Sequence, residues 1–236
     1  MKRYISLLLA ALMVWTIAGC GSKAAQADQP DTAGTVQPGV TESDAAGQVQ
    51  TGTDDADDAQ GSVNGGVYTN EFAGIGCKLD EGWVFYTAEQ MAELNGALAD
   101  GTDNADVKAM LADDPSIFDM YAVSTDGLMV MNVVIQNLGL VNGTAVSPQE
   151  YAEIASAEVA DTLTAYGYEN VKAQTTAADF AGTESCPAVA VTAERDGAAL
   201  YEQMIYLKTG NYIYCVTLCS FTEDVTAEMA KLFYAL

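Results

Sequence analysis

The residues best able to do chemistry are cysteines and carboxylates, because the 236-residue chain contains no histidine. That absence removes Ser-His-Asp and Cys-His catalysis, His-ligated zinc and any histidine pH switch. Cys77, Cys186, Cys215 and Cys219 fall within the part of the chain that reads as folded. Cys215 and Cys219 sit on one strand-like run and point to the same face, about 13 Å apart in an extended chain, too far to pair with each other. Each would need a partner on a neighbouring strand, such as Cys186. In an exported domain an even number of cysteines invites disulfides, with three possible connectivities. The other reading is four small buried hydrophobic side chains, and both stay open. A Cys-only zinc site is not expected, since no C-x2-C pair occurs. Asp100, Asp103, Asp106, Asp113 and Asp114 are the densest carboxylates of the domain. They could hold Ca²⁺ weakly, but a solvated loop is the expectation. Trp83, Phe85 and Tyr86 could line a pocket, although core aromatics at a strand end are the commoner outcome. No catalytic residue, metal ligand or cofactor can be assigned.

One further cysteine stands apart, near the start of the chain. Lys2 and Arg3 precede an apolar run from Ile5 to Trp15, and small residues then lead to Cys20. This is the three-part layout of an export signal. The run is shorter than the roughly 20 residues a membrane-spanning helix needs. Ile17-Ala18-Gly19-Cys20 resembles the lipobox of bacterial lipoproteins. The resemblance implies cleavage between Gly19 and Cys20, so that residues 1–19 are a signal peptide, and a diacylglycerol thioether on Cys20. Two acyl chains, at about 0.8 kcal/mol per buried methylene, hold a protein far more firmly than one. Gly21 rather than aspartate follows the cysteine. The expected address is therefore the outer, extracytoplasmic face of the cell membrane, with the protein anchored by lipid on Cys20.

The chain carries nine Lys and Arg against 33 Asp and Glu, a formal net charge of −24. So acidic a chain has no basic surface for phosphates, and nucleic-acid binding is not expected. From Gly21 to about Gly66, Ala, Gly, Thr, Gln, Asp and Ser dominate, with an acidic cluster at Asp54, Asp55, Asp57 and Asp58. Such a composition buries too little apolar surface to offset its ordering entropy. Residues 20–66 are expected to be a lipidated, disordered tether, with a root-mean-square reach of roughly 35–40 Å. No EF-hand loop is present to turn its aspartates into a calcium site.

Residues 67–236 are expected to form one domain. Tyr68 to Trp83 reads as two short strands joined at Ala73-Gly74, with a turn at Asp80-Glu81-Gly82. Thr87 and Gln90 form a capping box ahead of a helix carrying Met91, Leu94 and Leu98, which Asn95-Gly96 should interrupt. A second short helix is expected over Ala105–Leu111. Strands follow at Phe118–Ser124 and Leu128–Leu138, the second apolar on both faces and hence central. Ser147, Pro148 and Glu150 open a long helix whose buried stripe is Tyr151, Ile154, Ala155, Val159, Leu163 and Tyr166, and Gly167 ends it. Strands are then expected at Glu169–Phe180, Cys186–Arg195, Ala199–Lys208 and Tyr212–Phe221. Thr222 should cap a final helix from Glu223 to Leu236. Short hairpin turns and segregated helices make this α+β: an antiparallel sheet with helices packed on its faces.

The opening Tyr68-Thr69-Asn70-Glu71-Phe72-Ala73-Gly74-Ile75-Gly76-Cys77-Lys78-Leu79-Asp80-Glu81-Gly82-Trp83 resembles the start of PsbP-like domains, although Asp80 stands where that family often has proline. From lipobox to C-terminus the chain also resembles small Firmicute lipoproteins of unknown function. The resemblance implies an α/β/α sandwich and a non-enzymatic extrinsic or assembly role, with a membrane or cell-wall protein as partner. A small-molecule or metal-ion carrier is the alternative, and an enzyme is not expected.

Overall fold

The computed structural model describes residues 59–100, 116–139, 143 and 145–236. Two antiparallel sheets carry the chain. The larger has seven strands in the order β4-β5-β6-β10-β9-β8-β7: β4 (Trp83–Phe85), β5 (Ser116–Ser124), β6 (Met129–Asn137), β7 (Glu169–Phe180), β8 (Thr183–Arg195), β9 (Ala198–Thr209) and β10 (Tyr212–Ser220). The smaller has four in the order β1-β2-β3-β11: β1 (Ser62–Asn64), β2 (Val67–Asn70), β3 (Ile75–Lys78) and β11 (Phe233–Ala235). With helices α1 (Ala88–Asp100), α2 (Pro148–Ala165) and α3 (Thr226–Ala230), the class is α+β.

The seven-stranded sheet is buried on both faces at its centre. Every residue from Val130 to Gln136 is buried, and so is every residue of β10. Alternate residues feed two cores, as the period of a strand requires. Val130, Val134, Cys215, Cys219, Met204 and Tyr206 join the core beneath α1 and α2. Met131, Val133, Ile135, Tyr214, Val216 and Leu218 join the other core, closed by the small sheet and α3. The second face is thus covered mainly by strands. Each large apolar side chain so enclosed contributes about 1.5–3 kcal/mol.

α2 forms where its sequence demands. The Ser147 side chain accepts from the Glu150 amide, the Glu150 carboxylate accepts back from the Ser147 amide at 2.9 Å, and Pro148 fills the first turn. Tyr151, Ala152, Ala155, Val159 and Leu163 are its buried face. Ile154 is half-buried and Tyr166, at 55% exposed, leaves the expected stripe because it is already the C-terminal cap. Gly167, at φ +83°, ends the helix: its amide reaches the Thr164 carbonyl, and that of Tyr168 the Leu163 carbonyl. The capping box of α1 is also present, with the Thr87 amide on Gln90 Oε1 at 2.9 Å and the Gln90 amide on Thr87 Oγ1 at 3.3 Å.

Three expectations need correction. First, α1 runs through Asn95-Gly96 rather than breaking there. Asn95 is turned toward β5, where its amide group donates to the Phe118 carbonyl at 3.1 Å and its carbonyl accepts from the Phe118 amide at 2.7 Å. A tertiary hydrogen-bond pair outweighs the turn preference of Asn-Gly. Second, the helix expected over Glu223–Leu236 is only Thr226–Ala230, and Phe233–Ala235 form β11 on the free edge of β3. Thr222 does not cap it: Asp224 Oδ1 accepts from the amide and hydroxyl of Thr226. Third, β1 lies inside the stretch read as tether. Gly65 and Gly66, both at positive φ, turn it back onto β2, and this Asn-Gly-Gly signal was legible in the sequence. The helix expected at Ala105–Leu111 lies outside the described residues.

Candidate functional site

Where β8 and β9 part company, the larger sheet opens. From the Asp196-Gly197 turn the two strands pair as far as Ala188 and Ile205. Beyond that point Pro187, Cys186 and Thr183 stay with β7, while Tyr206, Leu207, Lys208 and Thr209 stay with β10. The local chemistry explains the split. Pro187 has no N–H to offer β9. Ser185 turns aside at φ +56°, held by its amide on Asp179 Oδ1 at 3.1 Å, and the β7–β8 register shifts between Ala178 and Phe180.

The result is a groove of about 700 Å³. Ile75, Phe180 and Ala235 make its small-sheet side, and Glu184 stands on the β8 rim. On the β9 rim Lys208 donates through Nζ to the Val146 carbonyl at 2.7 Å. Its charge also favours the ionised form of Glu150, whose carboxyl is held below its usual range chiefly by the Ser147 amide and hydroxyl. The groove offers open strand edges and apolar surface, the equipment of a binding site.

A second feature lies beneath α2, in the core. Glu202 is 5% exposed, faces Cys219 across the ladder, and has an Oε1 with no hydrogen-bond partner among the described residues. Burial pushes its carboxyl up to about 8, so it is largely neutral at pH 7. Asn132, fully buried on β6, likewise has no partner for either side-chain polar atom. The nearby Gln136 accepts from the Tyr151 hydroxyl at 2.7 Å. Sequence reasoning missed Glu202. Its signal was an acid at an inward position of the alternation Leu200, Glu202, Met204, Tyr206.

A third cluster fixes the start of the folded chain. Asp119, at the bulge of β5, accepts from the Tyr68 hydroxyl at 2.5 Å, from Asn70 Nδ2 at 2.9 Å, and from the Gly61 amide at 2.8 and 3.0 Å. Asn70 and the Tyr214 hydroxyl both donate to the Ala59 carbonyl at 2.9 Å. Burial pushes the Asp119 carboxyl up, against the pull of these donors. Residue 61 has to be glycine, since a Cβ there would stand 2.6 Å from the Thr69 carbonyl oxygen and 2.7 Å from the Tyr68 ring.

The residues singled out from the sequence are dispersed. Cys20 and Gly19 lie outside the described residues, as do Asp103, Asp106, Asp113 and Asp114. Cys77, Cys186, Cys215 and Cys219 are free and buried. Cys215 and Cys219 belong to the core under α2, whereas Cys77 and Cys186 belong to the opposite one. The suggested bridge from Cys186 to either of them would have to pass through the sheet. Burial pushes the Cys77 and Cys215 thiols up to about 12, leaving them poor nucleophiles. We predict that the native protein resists iodoacetamide and that all four thiols alkylate after unfolding without reductant; a pair that needed reductant would show a disulfide. Trp83 and Phe85 pack on the small-sheet core, but Tyr86 stacks on Tyr121 at 4.4 Å on the other face, so the three do not converge. Among the described residues no three His, Cys, Asp or Glu side chains are grouped to hold a metal, and no helix is long and apolar enough to cross a membrane.

No protein-family model matches the chain, and no curated protein does. Similar solved structures include LpqN, involved in cell envelope biogenesis of Mycobacterium tuberculosis, at 10% identity and a TM-score of 0.35, covering 66% of this chain and 75% of that one. They also include cyanobacterial PsbP (CyanoP) from Synechocystis sp. PCC 6803, at 12% identity and a TM-score of 0.38, covering 80% of this chain and 98% of that one. Likeness this loose carries no argument about activity or partners, and the α+β class rests on the strands and helices themselves.

Proposed function

We propose that the protein is a lipid-anchored binding module on the outer face of the cell membrane. In this reading Cys20 carries the lipid, and the groove between β8 and β9 receives a membrane or cell-wall protein. The observation that carries it is the split of a sheet that is otherwise fully laddered around β10, which leaves strand edges open beside apolar surface. The lipobox-like Ile17-Ala18-Gly19-Cys20 supports the anchor. A non-enzymatic role is favoured because the groove's lysine already has a carbonyl partner and its thiol, Cys186, is pushed up by burial.

The test is photo-crosslinking in intact cells making the full-length protein, with the reactive side chain placed at Glu184 or Thr209, and at Thr176 on exposed β7 as control. One dominant partner is expected from the two groove positions and not from Thr176. Cys20→Ser should release the protein from the membrane fraction. Equal capture from all three positions, or none from the groove, would overturn the reading.

A further inference from the structure

We infer that the occupant of this groove is an extended, positively charged polypeptide segment that adds a strand to β9. The inference rests on the binding reading above and names the class of partner.

Three observations carry it. Backbone complementarity is the first. Among the described residues, Tyr206–Thr209 pair with β10 on one side and with no strand on the other, and across the groove Thr183, Cys186 and Pro187 pair with β7 alone. A backbone N–H and C=O row left open in this way is the template used for strand addition. Four residues span about 13 Å, room for a guest strand of four or five residues.

The shape and polarity of the two sides come next. Side chains of a guest strand alternate between faces. Those directed to the small sheet would meet Ala73, Ile75 and Ala235, so apolar residues suit every second position. Those on the other face would pass Pro148 and the stem of Lys208.

Charge decides among the occupants. The Lys208 ammonium donates to the Val146 carbonyl and lies near the Glu150 carboxylate, which offsets its charge, while the Glu184 carboxylate stands exposed on the β8 rim. The whole chain carries −24. A second copy would bring the same charge, and the chain's own segment Asp54–Asp58 is itself acidic, so both are repelled. A segment with lysine or arginine flanking alternating apolar residues is attracted by the exposed Glu184 and by the chain's net negative charge.

The experiment measures amide exchange of the full-length protein in neutral detergent micelles, with a capped peptide Lys-Thr-Val-Thr-Val-Thr-Lys as probe. Slowed exchange is expected at those amides of residues 206–209 that do not already bond β10. Methylating alternate backbone nitrogens of the peptide should weaken binding at least tenfold, because strand addition needs those donors. Glu184→Lys, an exposed change, should weaken it several-fold, and a Glu-flanked peptide should bind worse than the Lys-flanked one. Unchanged exchange, equal binding of the methylated peptide, or preference for the Glu-flanked peptide would each overturn the inference. So would protection of the same amides by protein concentration alone, since a second copy would then be the occupant. A partner crosslinked at the groove in cells, without protection by the Lys-flanked peptide, would refute the peptide class and leave the binding reading standing. No crosslink at the groove would remove the binding reading itself.

Discussion

Glu202→Gln is expected to remove a fall in stability that the parent protein shows between about pH 4.5 and pH 8. The carboxyl ionises near its ordinary value of 4.5 in the unfolded chain and near 8 in the folded one. Below pH 4.5 both states hold the proton and no ionisation penalty arises. Between the two values the folded state binds more protons than the unfolded, so stability drops as pH rises. Above about 8 the penalty is complete. At about 1.4 kcal/mol per pKa unit, it amounts to about 4–5 kcal/mol. Glutamine keeps the size and loses the ionisation. Its amide brings its own desolvation cost of about 1–3 kcal/mol, so the readout is the slope of unfolding free energy against pH rather than its absolute value. Parallel slopes for parent and variant would mean that Glu202 is ionised and solvated in the folded protein.

Asp119→Ala should cost about 3–5 kcal/mol. It leaves the Gly61 amide, the Tyr68 hydroxyl and one hydrogen of the Asn70 amide group without their acceptor. Tyr68 and Asn70 are fully buried, so water cannot readily replace the lost carboxylate. Residues 59–61 and β1 should detach first, and amide exchange at Gly61 should rise by more than global destabilisation explains. Denaturant unfolding together with exchange at Gly61 checks both parts. A loss under 1 kcal/mol would show that the carboxylate is not what fixes the start of the domain.

The starts of α1 and α2 and the Asp196-Gly197 turn were legible because their causes are local. Ser147, Pro148 and Glu150 carry their own capping chemistry, and Asp196-Gly197 supplies the two positive φ values, +52° and +80°, that its tight turn requires. The long apolar run Leu128–Leu138 announced a strand buried on both faces. Misreadings occurred where a distant partner outbid a local preference. Asn95 serves Phe118 instead of breaking a helix, and Phe233–Ala235 complete the edge of β3 instead of ending one.

The candidate groove was hidden for the same reason. Pro187 and Ser185 are visible in the sequence, but a split ladder is a relation between two strands and no single stretch encodes it. Asp119 bonds residues up to 58 positions away and Tyr214 reaches Ala59 across 155, and Glu202 is a buried acid only because α2 and the sheet close over it. By itself the sequence determined what depends on composition and near neighbours: an acidic chain without histidine, the capping boxes of α1 and α2, the Asp196-Gly197 turn and an α+β alternation of elements. Only the tertiary structure decided which strand edges stay open, which carboxylates lose water and where the cysteines lie, because those depend on which residues far apart in the chain exclude solvent together.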